Sequence, residues 1–263
     1  MHLVKILEGD SPIILTQPHG GTYIPSNILS KYNDIGLKMS DTDWHINRVY
    51  EGLIERVSIV EALFSRYVID PNRDPSGKSL YRGLNNTELC PTKDFLGQPI
   101  YKDGMSPDEE EIKKRLQNFH SIYHIAVSEQ IQRIKKIYGF ALLFDCHSIR
   151  SKLPFLFEGE LPHLNLGTNN SSTCDLKIEK LAVELSSKIS GYKFVLNDHF
   201  KGGWTIRHYG DPKKGIHSMQ LELAQRTYME EFYPWNYNNT KASKLRVHLK
   251  KLLNHLESYL KLL

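Results

Sequence analysis

Two continuous apolar runs, each followed closely by a histidine, constrain the fold of this chain more than any other feature of its sequence. Residues 12–17 lead to His19, and residues 140–145 lead to His147. Apolar runs of this length, closed by polar or turn-forming residues, are typical of strands buried on both faces, as in a parallel sheet. Further strands are predicted at residues 62–70, 193–196 and 216–223.

Helical patterns lie between the predicted strands. Asp41-Thr-Asp43 can cap a helix over residues 44–57, and Ser106 begins a second helix that runs to about residue 137 and ends at Gly139. Two more helices are predicted at residues 175–189 and 240–263. Strands that alternate with helices, without repeats or linkers, predict a single α/β domain over residues 1–263, with a central, mostly parallel (mixed) sheet flanked by helices.

The overall composition excludes several classes of protein. The chain has 263 residues, of which 40% are hydrophobic and 24% are charged, so it is not a disordered, collagen-like or coiled-coil chain. Its net charge of +4 comes from 34 basic and 30 acidic residues. The basic pairs Lys135–Lys136 and Lys250–Lys251 lie on predicted helices, which favours solvated helix faces over a nucleic-acid partner.

Targeting and redox features predict a cytoplasmic protein without a membrane partner. No stretch approaches the roughly 18 uninterrupted apolar residues of a membrane-spanning helix, and the first residues lack the apolar core of a signal peptide. The three cysteines Cys90, Cys146 and Cys174 form no CxxC pair. We therefore expect neither disulfide bonds nor a zinc knuckle.

Polar residues follow three of the predicted strands. They are His19, the pair Asn72–Arg73, and His147, and ligands of open α/β sheets bind at the edge formed by the carboxyl ends of the strands. Two histidines and a carboxylate are a usual ligand set of catalytic zinc. The nearest carboxylates open the helix predicted at residues 44–57. Each histidine taken alone can equally be a hydrogen-bonded structural residue.

Seven motifs occur in one order between Pro12 and Tyr237. They are PHGGTYIP (18–25), DTDWH (41–45), RYVIDPNRD (66–74), DCHSIR (145–150), LNLGT (164–168), KGGWTIRHYG (201–210) and QLELAQRTYM (220–229). This set resembles the N-formylglutamate amidohydrolase (deformylase) family. The resemblance implies a fold similar to the zinc carboxypeptidases, of the phosphorylase/hydrolase-like type, and hydrolysis of N-formyl-L-glutamate to glutamate and formate in one branch of histidine degradation.

The resemblance also implies a divalent metal, with zinc expected, held by His19, Asp43 and His147. The carboxypeptidase pattern takes its acidic ligand from a glutamate three residues after the first histidine, where this chain has Thr22. Asp43 is therefore the predicted third ligand and His45 the alternative. Asp43 can instead be a helix-capping residue.

The remaining predicted roles concern the base and the substrate. Glu222 lies in the apolar run QLEL, where a carboxylate must be paired, protonated or functional. Similarity to zinc exopeptidases implies that it is the general base, and the alternative is a buried partner of Arg207 or Arg226. The residues predicted to bind the substrate and its two carboxylates are Asn72, Arg73, Arg150 and Arg207, since a planar guanidinium binds a carboxylate in two places. Any of these arginines can instead belong to a structural ion pair.

Three alternatives to this function remain at the level of sequence. Cys146 could be a nucleophile, but adjacent residues of a strand face opposite ways, so His147 is poorly placed to activate it. The chain could be a non-catalytic amino-acid-binding protein on the same scaffold. It could also act on another N-acyl amino acid or a γ-glutamyl peptide, with a pocket built by the long segment 76–104 and a closing loop at residues 201–204.

Overall fold

The computed structural model describes residues 2–78 and 87–263, which form a seven-stranded mixed sheet. The strands are β1 (Val4–Leu7), β2 (Ile13–Gln17), β3 (Ser58–Ala62), β4 (Ala141–Ile149), β5 (Leu164–Gly167), β6 (Phe194–Leu196) and β7 (Ile216–Ala224). They lie in the order β1-β3-β2-β4-β7-β5-β6. The β1–β3 and β5–β7 pairs are antiparallel and the other four pairs are parallel, which confirms the predicted fold class.

Helices connect these strands and cover both faces of the sheet. They are α1 (Ser26–Leu29), α2 (Asp34–Leu37), α3 (Ile46–Tyr50), α4 (Glu109–Arg115), α5 (Ser121–Tyr138), α6 (Leu176–Ser187), α7 (Trp204–Tyr209) and α8 (Asn239–Leu260), with a π-helical segment at Leu116–His120 and 3₁₀ turns at Pro212–Lys214 and Gln225–Thr227. In the described part of the chain, none of them is both long and apolar enough to cross a membrane.

Strand β4 separates two apolar layers, because successive side chains of a strand point to opposite faces. Leu142 and Phe144 pack in one layer with α3, α6 and α8, whereas Leu143 packs in the other layer with α5. Every residue of β4 is buried. The strand extends past the predicted end at residue 145, so His147 lies within it and pairs with Glu222 of β7.

The prediction of a strand at residues 62–70 is wrong. Strand β3 ends at Ala62, and the chain then leaves the sheet, although Phe64, Val68 and Ile69 are fully buried. These side chains pack in the layer that contains α5. The apolar run at residues 62–70 therefore reflects burial in a connection between secondary-structure elements and not a strand.

Two predicted helices also differ from the structure. Instead of residues 44–57, α3 covers Ile46–Tyr50 and has His45 at its N-cap, so Asp41 does not cap a helix. The helix predicted from Ser106 begins after Asp108, whose side chain accepts a hydrogen bond from a backbone N–H of the first turn. It ends at Gly139 as predicted, because this glycine adopts the left-handed conformation with φ of 79°.

Candidate active site

Three buried side chains meet near the carboxyl ends of the central strands. His19 follows β2, His147 lies near the end of β4, and Asp43 precedes α3; their exposed fractions are 3%, 2% and 1%. The Nδ1 atoms of the two histidines are 3.1 Å apart. Asp43 Oδ2 lies 3.5 Å from His147 Nδ1 and 3.9 Å from His19 Nδ1. The backbone N–H of Asp43 donates to the carbonyl of His19 at 3.0 Å, which holds the two segments together.

A carboxylate bonds the Nε2 atom of each histidine, on the side of the ring away from the other histidine. His19 Nε2 donates to Asp70 Oδ1 at 2.7 Å, and His147 Nε2 donates to Asp145 Oδ2 at 2.8 Å. Because a carboxylate only accepts, each ring carries a proton on Nε2, and its neutral form presents the lone pair of Nδ1. Two facing lone pairs cannot bond to each other, but both can bind one cation.

The donor set fits a divalent metal ion. Asp43 Oδ1 is buried and has no hydrogen-bond partner among the described residues, whereas Oδ2 accepts from the Ser148 N–H at 3.0 Å. The three candidate ligand atoms lie within 4.8 Å of one another, and ligands about 2.0–2.1 Å from a tetrahedral zinc are about 3.3 Å apart. The alternative ligand, His45, instead bonds the carbonyl of Trp235 at 2.7 Å. The geometry therefore supports Asp43 as the third member of the cluster.

The electrostatics of the two histidines also favour a cation. Burial and the charge of Arg66 lower the pKa of His19, which keeps its ring neutral, as a metal ligand must be. Burial also disfavours a charged His147, but Asp145 and Asp43 outweigh it and raise the pKa of that ring well above its ordinary value. A positive charge is thus stabilised beside these carboxylates, whether a proton or a metal supplies it.

Arg66 links the carboxylates of the site. Its guanidinium donates to Asp70 Oδ2 at 2.6 Å and to the carbonyl of Asp41 at 3.3 Å, and it lies 3.8 Å from Asp43 Oδ1. Burial disfavours the ionised form of Asp70, but the charges of Arg66 and His19 hold its pKa well below the usual range. The carboxylate that supports His19 therefore stays ionised.

Glu222 lies beside the histidines on the neighbouring strand. It is 6% exposed, and Gln220 Nε2 donates to its Oε2 at 3.0 Å. Burial, reinforced by Asp43 and opposed by His147, raises the pKa of Glu222 to about 7. A carboxyl group that titrates near neutral pH is suited to proton transfer in both directions.

The alternative role of Glu222, a buried partner for an arginine, lacks support in the described residues. Arg226 donates to Ser151 Oγ and to the carbonyl of Leu161. Arg207 Nε donates to the carbonyl of Gly202 at 2.9 Å. Neither arginine forms an ion pair with Glu222 in that part of the chain.

A cleft of about 620 Å³ opens above these residues. His19, His147 and Glu222 line it together with polar, basic and apolar residues, among them Arg66, Asn72, Arg73, Thr87, Phe95, Leu156, Phe157, Lys201, Gly202 and Gln220. The segment predicted to build the pocket, residues 76–104, contributes Thr87 and Phe95. Its residues 79–86 lie outside the described part of the chain.

Two of the predicted substrate-binding residues line the cleft. Asn72 Oδ1 accepts from the Thr205 N–H at 2.9 Å, and its Nδ2 lies 3.3 Å from His147 Nε2. Arg73 Nε donates to Thr87 Oγ1 at 2.9 Å. The bonds to Thr205 and Thr87 fix both side chains beside the histidine cluster.

The other two predicted substrate-binding residues, Arg150 and Arg207, are not among the described residues that line the cleft. Arg150 forms an ion pair with Asp41 Oδ1 at 2.9 Å. Arg207 bonds the backbone of Gly202 in the cleft wall. Their roles in substrate binding stay predictions.

Cys146 lies on the opposite side of β4 from the site. It is fully buried in the apolar layer with α3 and α8, and burial raises the pKa of its thiol well above the ordinary value. A buried thiol is a poor nucleophile because the thiolate is the reactive form. The structure thus favours the interpretation of Cys146 as a core residue.

Sequence reasoning assigned no role to Asp70, Asp145, Arg66 or Gln220. A signal was available for two of them. Asp145 precedes His147 by two positions, and Gln220 precedes Glu222 by two, so each pair shares one face of its strand. Asp70 and Arg66 offer no such local signal, since their contacts depend on the folded connection after β3.

Replacing Asp145 with asparagine is expected to weaken metal binding by about 10- to 100-fold, the usual effect of losing a carboxylate behind a histidine ligand. Thr16 Oγ1 donates to Asp145 Oδ1 at 2.6 Å, so the amide oxygen would keep that bond and the NH₂ would face His147 Nε2. The proton of His147 would then move to Nδ1 and block coordination. Competition with a chromophoric chelator measures the affinity.

Thr16→Val is the matched control, because it removes the other bond to Asp145 without changing the bond to His147. Its metal affinity is expected to stay closer to that of the wild type. Equal affinities of the wild type and Asp145→Asn would show that the carboxylate does not set the protonation of His147.

Comparisons with known proteins show which sequences this chain is similar to. A family model described as N-formylglutamate amidohydrolase matches residues 11–229. The N-formylglutamate deformylase of Pseudomonas putida is 41% identical over 250 residues, covering 95% of this chain and 93% of that protein. The enzyme of the same name from Pseudomonas aeruginosa is 40% identical over 255 residues, covering 97% and 96%.

Solved structures show the same fold. The crystal structure of N-formylglutamate amidohydrolase from Ralstonia eutropha superposes with a TM-score of 0.83 at 21% identity, covering 99% of both chains. A gene product of Agrobacterium tumefaciens superposes with a TM-score of 0.73 at 17% identity, covering 99% of this chain and 97% of that one.

Proposed function

The chain belongs to the N-formylglutamate amidohydrolase family, and from this premise we propose that it hydrolyses N-formyl-L-glutamate to L-glutamate and formate. The observation that carries the proposal is the buried cluster of His19, Asp43 and His147 beside Glu222 at the floor of the cleft. We further propose that the reaction serves histidine degradation in the cytoplasm, in keeping with three cysteines that are free and buried.

We propose zinc as the metal, because two imidazoles and a carboxylate are a usual ligand set of catalytic zinc. A divalent ion held by His19 Nδ1, His147 Nδ1 and Asp43 would polarise the formyl oxygen and make a water molecule more acidic. The protein contributes the orientation of these ligands through Asp70 and Asp145.

Glu222 acts as the general base in this proposal. It takes a proton from the attacking water and returns it to the nitrogen of the leaving glutamate. Two features of the structure support this role: burial places the pKa of Glu222 at about 7, and Gln220 holds its carboxylate in place. A group that must accept and then release a proton works best with a pKa near the working pH.

Asn72 and Arg73 are proposed to bind the α-carboxylate of the substrate. Both line the cleft next to the histidine cluster, and a guanidinium matches the geometry of a carboxylate. Arg150 and Arg207 are proposed to affect substrate binding through the residues they hold. Arg150 would act through Asp41, whose carboxylate also accepts from the N–H of Phe95 in the cleft lining, and Arg207 would act through the carbonyl of Gly202.

Formate release from N-formyl-L-glutamate by the purified, zinc-loaded protein tests the proposal. We expect multiple turnovers and a higher kcat/KM than for N-acetyl-L-glutamate or γ-glutamyl peptides. The acyl group must fit at the floor of the cleft, and formyl is the smallest acyl group. Preference for another N-acyl amino acid would replace the substrate but keep the reaction type. Binding of these compounds without any hydrolysis would instead indicate a non-catalytic amino-acid-binding protein.

A further inference from the structure

The acidic side chain of the proposed substrate needs a second cation in the cleft. Arg66 lines the cleft, but it is buried and donates to Asp70 at 2.6 Å and to the carbonyl of Asp41. Arg73, which lies 3.9 Å from Asp70, is the residue proposed for the α-carboxylate. The rim also carries the exposed carboxylates of Glu158 and Asp198, which repel a dianion. A cation in the wall of the cleft would offset this repulsion.

Lys201 is a half-buried cation of the cleft lining. Within residues 2–78 and 87–263, its ammonium group forms no ion pair with an acidic side chain. Phe200, Phe157 and Leu156 line the same cleft. Apolar walls lower the dielectric of a cleft and so strengthen the attraction between an ammonium group and a carboxylate bound in it.

The backbone around Lys201 is held by three different parts of the fold. The carbonyl of Lys201 accepts from the Asn169 N–H at 2.6 Å, and the carbonyl of Gly202 accepts from Arg207 Nε at 2.9 Å. The N–H of Gly203 donates to Gln220 Oε1 at 2.8 Å. Since Gln220 also bonds Glu222, this wall of the cleft is tied directly to the proposed base.

The same wall contacts the segment proposed to bind the α-carboxylate. A Cβ atom on Gly203 would lie 2.1 Å from Asn72 Nδ2, so the backbone at Gly203 packs directly on this side chain. Arg73 follows Asn72 in the chain, and Lys201 precedes Gly203 by two residues. Two cations on two touching segments therefore line one cleft, which suits a small substrate with two carboxylates.

We propose that Lys201 binds the side-chain carboxylate of the substrate and sets the preference for an acidic amino acid, an inference that rests on the proposed deformylase function. The ammonium group is a compact charge with three donors on a flexible stem. Because the backbone of Lys201 is fixed and its side chain is flexible, the ammonium group can adjust its position to a carboxylate that ends a chain of two methylene groups.

The test compares N-formyl-L-glutamate with N-formyl-L-glutamine, which has the same shape but no charge on the side chain. In Lys201→Met, we expect the ratio of the two kcat/KM values to fall about 10- to 100-fold, the usual effect of losing a hydrogen bond between charged groups. The change should appear mainly in KM for N-formyl-L-glutamate, and Lys201→Arg should restore part of the ratio. Lys193→Met, at an exposed position outside the cleft lining, is the control with the same net charge.

An unchanged ratio in Lys201→Met, or an equal loss for both substrates, would overturn the proposal. Calorimetric binding of L-glutamate and L-glutamine to the zinc-loaded protein gives a second measurement that needs no turnover. If the wild type releases no formate, the proposed function fails, and the discrimination between these two ligands still decides the role of Lys201.

Discussion

Replacing Glu222 with glutamine is expected to lower kcat for formate release by about 10²- to 10⁴-fold, the range that a general acid–base group contributes. Glutamine has nearly the same size and can still accept the hydrogen bond from Gln220 Nε2, but it cannot take a proton from water. The pKa of about 7 at Glu222 reflects a buried group that already tolerates the neutral form. We therefore expect the variant to fold normally and keep its metal, as circular dichroism and elemental analysis would show.

Glu158→Gln is the matched control for this experiment. Glu158 lines the same cleft but is exposed at its rim, so the same chemical change should leave kcat within a few-fold of the wild type. A Glu222→Gln variant with full metal content and wild-type kcat would assign the proton transfer to another group.

Removing the metal is expected to abolish formate release, and zinc should restore it. In His147→Gln, zinc should not restore activity at concentrations that saturate the wild type. The glutamine amide can still donate to Asp145, but it replaces the imidazole of a proposed ligand. The affinity for zinc should therefore fall by more than the roughly 10- to 100-fold expected for a supporting residue. Equilibrium dialysis followed by elemental analysis measures the bound metal.

His199→Ala is the control for metal binding, because His199 also lines the cleft but lies at its rim, 3.9 Å from Asp198. This variant should bind zinc like the wild type. Full activity after exhaustive chelation would contradict the role proposed for the metal, and zinc binding by His147→Gln at wild-type affinity would contradict the ligand set.

The sequence predicted the three central strands and the edge strand β6, but not β1 or the short inner strand β5. Strands β2, β4 and β7 are almost wholly buried, so their apolar runs are long and unambiguous. Edge strand β1 is mostly exposed and has no such run. The apolar run at residues 62–70 led to a wrong strand prediction, because full burial in a connection gives the same apolar pattern as burial in a strand.

The residues of the candidate site were also predicted best where they lie on or next to buried strands. Both histidines could be placed from the ends of apolar runs, because the carboxyl ends of neighbouring parallel strands meet at one edge. The contacts of Arg150 and Arg207 could not, since the direction of a long side chain depends on acceptors that only the fold supplies. Arg150 bonds Asp41, which is 109 positions away in the chain.

The pairing of His147 with Glu222 across β4 and β7 has a consequence for how this family can diversify. The spacing between a proposed metal ligand and the proposed base is set by the hydrogen-bond ladder of the sheet, and a slip by one residue would turn Glu222 to the other face. Mutation cannot adjust that spacing in small increments. Much of the cleft wall, including Phe157 and Lys201, lies on connections outside the ladder, so substitutions there can change the shape of the cleft without changing the spacing of His147 and Glu222.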